Sequence, residues 1–419
     1  MKYIIKDEKL ASSGEKNIAW AEKHMPVLSI IKAEFEKTKP LKGKRIAACL
    51  HVTKETGVLV NVLRAGGAEV SLCASNPLST QDDVAAALAK DGFPVYAVKG
   101  CDSKVYYECI DRGLDIKPNI TIDDGADLLN RIHNERKELL KEVIAGQEET
   151  TTGVIRLRAM AKGGALLYPV VAVNDTPTKH LMDNWYGTAQ STLDGIIRAT
   201  NELIAGKVVV IAGYGHCGKG VASRARGLGA KVVITEVNPV ESLRAHFEGF
   251  QVMKMADAAK VGDIFVTVTG NKHVIRKEHF EQMKDGAVVC NSGHFDIEIN
   301  LKDLQAMTKS KNEIRPLVEE HMLKNGRRIV VLAQGRLVNL ACAEGHPSEV
   351  MDLSFSDQAL VAEWISKNSA KFKEKKVYEV PDEIDQRVAT LKAKAHGLGV
   401  DELTAEQKEY LQSWKEGTS

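Results

Sequence analysis

The chain has no C-x-x-C pair, and its seven cysteines are odd in number and scattered over 419 residues. That pattern argues against a zinc site or a disulfide framework; buried free thiols in a reducing cytoplasm are expected, with no metal. Neither sign of charge prevails: 57 Lys and Arg against 56 Asp and Glu leave a formal charge of +1. So balanced a chain offers no global field to hold nucleic acid or an anionic membrane. Its longest apolar runs are strand-length and stop at Gly or a charge, short of the about 20 residues that a membrane helix needs. The opening MKYIIKDEKL has neither an apolar core nor a small-residue cleavage site, so no secretory leader is expected. Low-complexity segments are lacking too. The length suffices for two or more globular domains.

What is present is an alternation of short apolar runs with helical patterns, the signature of parallel α/β layers. RIAACLH (45–51), AEVSLCA, PVYAVKG and NITIDDGAD (119–127) read as strands. Between the first two, VTKETGVLVNVLRAGG reads as a helix closed by Gly66 and Gly67. STQDDVAAALAKDG (79–92) is a second helix, with Ser79 as N-cap and Gly92 as C-cap. The grammar repeats from KVVVIAGYG (207–215) through AKVVITE (230–236), DIFVTVTG and GAVVCNSG. A helical stretch, roughly 181–205, separates the halves, and after about residue 345 the strand pattern stops. The expected fold is α/β with two doubly wound Rossmann-like domains and a helical C-terminal extension. A split substrate domain takes 1–180 and 346–385, an NAD-binding domain 186–345, and the extension 386–419, which lacks a core of its own. Hinges are expected near 181–190 and 341–347, where the chain crosses twice.

Gly213, Gly215 and Gly218 form G-x-G-x-x-G after the apolar strand VVVIA and at the start of a helix. Glycines there let the backbone turn tightly and approach a pyrophosphate, whose charge sits at the helix N-terminus. The next strand ends in Glu236, 23 residues after Gly213. An acid at that place accepts from a ribose diol and repels a 2′-phosphate, which favours NAD over NADP. Thr269-Gly270 and Asn291-Ser292-Gly293-His294 close two further strands, at the ends where open α/β sheets bind ligands.

The first half has no glycine fingerprint but carries polar side chains at its strand ends. His51 and Thr53 follow RIAACL; Asp123, Asp124 and Asp127 follow NITI; Glu148 and Glu149 precede Thr150, Thr151 and Thr152. Then NDTPTKHLMDN brings Lys179, Asp183 and Asn184. Each has a plainer reading: a core histidine, an acidic turn, a capping sequence, an i,i+4 ion pair. Together with a cofactor domain, a buried Lys among acids beside a nicotinamide could have a lowered pKa and act as a base. These residues by themselves name no substrate.

The chain resembles the S-adenosylhomocysteine hydrolases in SNPLSTQDD, DDGAD, EETTTGV, VNDTPTKHLMDNWYG, AGYGHCGKG, GHFDIEI, GRLVNLACAEGHPSEVM and LTAEQKEYL. The motifs span nearly the whole chain in the family's order. The resemblance implies reversible hydrolysis of S-adenosyl-L-homocysteine to adenosine and L-homocysteine on one tightly held NAD per subunit. Oxidising the ribose 3′-hydroxyl acidifies the 4′ C–H. Loss of that proton expels homocysteine, water adds, and the stored hydride returns, with no net redox change. By the same resemblance Lys179 and Asp183 handle the 3′-hydroxyl proton, Asn184 orients Lys179, and Glu149 and Thr150 hold the ribose. Asp124 serves the 4′ proton, and His51 and His294 serve the 5′ position. Thr53 and Glu55 face adenine, with His346 and Met351 lining the same pocket. The cofactor set is Thr150, Thr151, Thr152, Asn184, Gly213, Gly215, Gly218, Glu236, Thr269, Ser292, His294 and Asn339, with Asn339 reaching the carboxamide. A cytoplasmic homotetramer is implied, and a sodium or potassium ion near Gln81 and the hinge carbonyls is a further expectation.

The chain departs from the commoner pattern at three places. Glu344 stands where eukaryotic members carry Met, Thr188 stands where many carry Cys, and the chain ends at WKEGTS, without the Lys- and Tyr-bearing tail that reaches a neighbour's NAD. The ending resembles archaeal and thermophilic-bacterial members, some of which prefer S-inosylhomocysteine and carry Lys where Glu55 stands here. A 6-carbonyl wants a donor, which an ionised Glu55 is not, so adenine is favoured. The alternatives are an S-inosylhomocysteine hydrolase, an ordinary dehydrogenase that releases NADH, and a non-catalytic regulator. Release of thiol without accumulation of NADH separates the last two from the first reading.

Overall fold

In the computed structural model, which describes residues 3–414 and 417, the apolar runs assemble into two sheets. The first contains β1 (Arg45–Leu50), β2 (Glu69–Ala74), β3 (Val95–Tyr96), β4 (Ile120–Asp123), β5 (Ala145–Glu148) and β6 (Val170–Ala172). The second contains β7 (Val208–Ala212), β8 (Lys231–Thr235), β9 (Gln251–Val252), β10 (Ile264–Thr267), β11 (Ala287–Asn291), β12 (Thr308–Arg315), β13 (Val318–Leu323) and β14 (Arg328–Leu332). A last strand, β15 (Val377–Tyr378), returns to the first sheet and pairs in parallel with Val170 and Val171. The orders are β15-β6-β5-β4-β1-β2-β3 and β12-β13-β14-β11-β10-β7-β8-β9.

Every pair in the first sheet is parallel. Its strands are covered on both faces, so they read as continuous apolar runs rather than alternations. Leu50 and Leu72 pack with Leu59 and Leu63 of the helix Lys54–Ala65, and with Leu360 and Ile365 of the helix Ser348–Lys367. The second sheet repeats the scheme, with Ile211, Ile234 and Val266 against Val221 and Ala225. In each sheet the order reverses beside its first strand: β1 lies between β2 and β4, and β7 lies between β8 and β10. Crevices at such reversals, beyond the carboxyl ends of the strands, are where open α/β sheets bind ligands.

Three expectations need correction. Strand pairing does not stop at residue 345: β15 is only two residues long and carries no periodic signal. Ser79 is not a cap, because the helix begins at Asp82 behind Gln81, and Ser79 bonds His51 instead. Gly92 lies one residue past the C-cap Asp91, at φ 87°. The boundary set at 385/386 falls inside the helix Asp382–Ala395, which packs on the chain's own helices Pro26–Thr38 and Ser348–Lys367. Asp352 organises that junction: it accepts the Val27 and Leu28 amides at 3.2 and 2.9 Å and pairs with Lys392 at 2.8 Å. The stretch after it, through the helix Ala405–Gln412, is exposed. Residues 415–416 and 418–419 of the WKEGTS ending lie outside the described residues.

Between the sheets the chain crosses through a π-helical turn, Lys179–Gly187, that runs into the helix Thr188–Thr200. It crosses back after the short helix Val338–Ala341. Among the described residues no helix is long and apolar enough to cross a membrane.

Candidate active site

A cavity of about 900 Å³ opens between the two sheets. It is lined from one side by the ends of β1, β4 and β5 and from the other by the ends of β7, β8, β10 and β11. Every site residue expected from the sequence lines it except Gly218. Gly218 stands behind the wall, where a Cβ would overlap the Gly213 carbonyl, with the carbonyl carbon at 2.8 Å. Its glycine is needed for the turn to close on the helix rather than for ligand contact.

The turn itself fits a dinucleotide. Gly213 has φ 104°, open to glycine alone, and at Gly215 an added Cβ would meet nothing within 4 Å, which leaves the helix N-terminus open to a ligand. Glu236 accepts the Tyr214 amide at 2.7 Å and the Val237 and Asn238 amides at 2.7 and 2.9 Å. Three acceptances leave it room for a diol. Deeper in, Asn339 donates to Ser191 Oγ at 3.2 Å, while its buried Oδ1 has no partner. A buried acceptor left bare costs free energy unless a ligand's donor meets it.

Lys179 is buried at the centre of a polar network. Its ammonium donates to Asn184 Oδ1 at 2.7 Å and lies 3.4 Å from Glu149 Oε1 and 3.5 Å from Asp183 Oδ2. Asn184 is fixed in turn by Asn174 Oδ1 at 3.2 Å. The lowered pKa expected for Lys179 is not what these neighbours produce. Burial would lower it, but Asp183 and Glu149 outweigh burial and hold it well above its ordinary value. The two acids part company. Burial, with Asp183 and Asp124 nearby, pushes Glu149 up to about 7 in spite of Lys179. Asp183 is equally buried, but Lys179 and His346, whose Nδ1 lies 2.8 Å away, hold it down at about 2. Glu149 is fixed from behind by Ser354 and Gln358 of the helix Ser348–Lys367.

Beside Glu149, at the end of the neighbouring strand β4, Asp124 stands between two histidines from different halves. His51 Nε2 lies 3.4 Å from its Oδ2, and His294 Nδ1 lies 3.4 Å from its Oδ1. One ligand atom from each of the three lies within 4.8 Å of the others, a spacing that could also hold a metal ion. Ser79 sits 2.7 Å from His51 Nδ1, and burial pulls His51 down to about 4, so its ring is neutral at ordinary pH. At Gly125, φ 103°, a Cβ would overlap the His294 ring, so glycine is what allows the approach. The purine side expected from the sequence is a buried wall. Glu55 accepts from Ser348 Oγ at 2.6 Å, and Thr53, His346 and Met351 line the same cavity. Thr188 contacts His346 Nε2 at 3.3 Å and accepts from Cys217 Sγ at 3.6 Å.

Several shaping residues escape a reading by motif. Glu148 accepts the Gly125 and Thr150 amides at 2.7 and 3.1 Å. Glu298 accepts the Thr269 and Gly270 amides at 2.9 and 2.8 Å. Arg156 donates to the Gly125 carbonyl, pairs with Asp127 and lies 5.1 Å from the Phe295 ring centroid. Only the position of Glu148 at a strand end signals such a role in sequence.

Two family models cover most of the chain. S-adenosyl-L-homocysteine hydrolase matches residues 2–147, and S-adenosyl-L-homocysteine hydrolase, NAD binding domain, matches 184–345. The adenosylhomocysteinase of Aquifex aeolicus is 60% identical over 100% of both chains. The chain belongs to the S-adenosylhomocysteine hydrolase family. Its second half is the family's NAD-binding domain, and the first-half motifs belong to the same family rather than to a generic dehydrogenase. The adenosylhomocysteinase of Thermococcus kodakarensis is 57% identical over 99% of each chain. The S-inosyl-L-homocysteine hydrolase of Methanocaldococcus jannaschii is also 57% identical, over 99% of this chain and 100% of its own. Overall identity therefore does not discriminate the purine; the residues on the purine wall must.

Proposed function

We infer that this member hydrolyses S-adenosyl-L-homocysteine reversibly to adenosine and L-homocysteine, through transient oxidation of the ribose 3′-hydroxyl. The observation that carries it is the meeting of the Lys179 network, the Asp124 histidines and the Gly213 turn in one cavity.

When bound, NAD would supply the hydride acceptor for carbon 3′, and the positive charge of its oxidised nicotinamide ring would favour the free amine of Lys179. Asn339 Oδ1, Thr269 and Glu236 are placed to hold it. Lys179 takes the 3′-hydroxyl proton, with Asn184 fixing its direction and Asp183 keeping the site negative. Glu149, once ionised, accepts from the ribose hydroxyls. Asp124 receives the 4′ proton, with His294 and His51 on either side of it. His51, neutral, and His294 then manage the proton that goes to homocysteine sulfur and the one that leaves the attacking water. Both cavity walls together exclude bulk water from the ketone.

Adenine is favoured over hypoxanthine because Glu55 is a buried acceptor suited to a 6-amino group. The test is side-by-side hydrolysis of the adenosyl and inosyl thioethers, following free thiol and reduced cofactor. Thiol release from the adenosyl compound without NADH accumulation is expected. Preference for the inosyl compound overturns the base assignment, and stoichiometric NADH overturns the hydrolase. A homotetramer is supported by the apolar side chains that the tail leaves exposed, including Leu403, Leu411 and Trp414. Cytoplasmic residence is supported by cysteines that are all unpaired.

A further inference from the structure

The residues around Gln81 do not fit the sodium or potassium ion expected there. A bare cation needs several oxygens free of nearby donors, and those of Gln81, Glu344 and Ala341 each face a donor of the chain. Gln81 Oε1 accepts the Lys54 backbone amide at 3.0 Å, and its Nε2 donates to the Glu344 carbonyl at 3.2 Å. The Ala341 carbonyl accepts from Lys99 Nζ at 3.0 Å. Turning the Gln81 amide to aim its oxygen at Glu344 would set its NH₂ against the Lys54 amide, donor to donor.

A charge of the right sign is nonetheless present. Lys54 Nζ lies 3.0 Å from Glu344 Oε2 and 3.3 Å from Glu55 Oε1. The Lys54 side chain is only 11% exposed and that of Glu55 1%, so neither is a surface ion. The other Glu344 oxygen lies 3.4 Å from Arg198, on the helix Thr188–Thr200 of the NAD-binding half. Burial would lower Lys54, but Glu55 and Glu344 outweigh it and raise its pKa, so the side chain stays an ammonium.

We propose that the Lys54 ammonium is a built-in cation at the crossing between the halves. It neutralises and aims the Glu55 carboxyl on the purine wall, is held there by Glu344, and makes this enzyme independent of added sodium or potassium. Lys54 and Glu344 are thus positioning residues acting through Glu55. A Met at 344 would leave Lys54 without this anchor. The proposal rests on the reading that Glu55 faces the base.

The test uses NAD-loaded enzyme in choline chloride, with KCl or NaCl exchanged for it at constant ionic strength. For the parent, KM for S-adenosylhomocysteine and Tm are expected to be the same in all three salts. Lys54→Met should raise KM by about tenfold or more with a smaller change in kcat, as expected when a buried carboxylate loses a charged partner. In that variant KCl or NaCl should lower KM and raise Tm relative to choline. Lys54→Arg, which keeps the charge, should keep a salt-independent Tm, and it reports even if Lys54→Met folds poorly. A parent whose KM or Tm improves with potassium or sodium overturns the proposal, as does a Lys54→Met enzyme with parental KM. Failure of the underlying base assignment shows differently, as a preference of the parent for the inosyl thioether.

Discussion

Replacing Gly125 with alanine tests whether the two halves must meet at Asp124. The glycine has φ 103°, a conformation that costs a residue with a Cβ about 1–3 kcal/mol. Its missing side chain is also the space that the His294 ring fills: a Cβ would lie 2.7 Å from Cδ2 and 2.9 Å from Cε1 and would overlap Nε2. Ordinary carbon contacts are about 3.5–4.0 Å, so the ring must withdraw by about 1 Å. His294 Nδ1 is already 3.4 Å from Asp124, and a further retreat breaks that contact. Misplacing a reacting group by about 1 Å costs about 100-fold in rate. Turnover, read as free thiol, is therefore expected to fall by about that factor, and Tm by a few degrees. The oxidation half-reaction is proposed to rest on Lys179, which is held by Asn184, Glu149 and Asp183 rather than by His294. It should survive, and is seen as near-ultraviolet absorbance of reduced cofactor on adding adenosine. Parental turnover in Gly125→Ala would refute the reasoning, and so would equal loss of both half-reactions.

Glu55→Gln removes the partner of the Lys54 ammonium from the purine wall and puts an amide, which can donate, in place of the carboxyl group. The adenosyl-over-inosyl preference in kcat/KM should shrink by about 10-fold or more, the worth of one charged hydrogen bond. Glu149 is held at about 7 and must be ionised to accept from the ribose. kcat/KM should therefore rise as pH increases through about 7, and Glu149→Gln should erase that inflection while slowing turnover by about 10²–10⁴. Asp357 is buried beneath the site, accepting from Thr176 and Thr178 at 2.8 Å, and burial pushes it up to about 7. An acid with a raised folded pKa binds its proton more tightly folded than unfolded, so it costs stability as pH rises from about 4 to about 7. Asp357→Asn should match the parent's Tm at about pH 4 and exceed it at about pH 8 by differential scanning calorimetry. Gly218→Ala should strain the cofactor turn against the Gly213 carbonyl, and NAD content after gel filtration should drop.

The parts of the fold legible in sequence are those that repeat one physical pattern. Buried parallel strands must be apolar on both faces, so β1, β2, β7, β8 and β11 announce themselves as runs of Val, Ile, Leu and Ala. Strand β12 does not, because seven of its eight residues are exposed: TKSKNEIR reads as a polar loop and is a strand only because β13 pairs with it. Strand β15 is too short for any period and is defined by two partners on β6. The helix Ser348–Lys367 misleads in the opposite way. Its Asp352, Ser354, Ser356, Asp357 and Gln358 look like a solvated face and are all buried. Four of them are polar because they finish other elements: Asp352 caps the helix Pro26–Thr38, Ser354 and Gln358 hold Glu149, and Asp357 holds two threonines.

The same distinction governs the site. The candidate ligand contacts sit within motifs, at strand ends or on the crossing Lys179–Gly187, where side-chain chemistry marks them. What no motif could give is the sign of the Lys179 shift. A lysine buried alone is driven toward neutrality, whereas one buried between Glu149 and Asp183 is driven the other way. Spacing in the sequence supplies Asp183 as an i,i+4 neighbour, but Glu149 comes from β5, 30 residues upstream, and only the fold brings it within 3.4 Å. The resting lysine is therefore an ammonium, the conjugate acid of the base that the 3′ position needs. On the proposed mechanism, the positive nicotinamide ring of a bound cofactor would shift that balance toward the free amine.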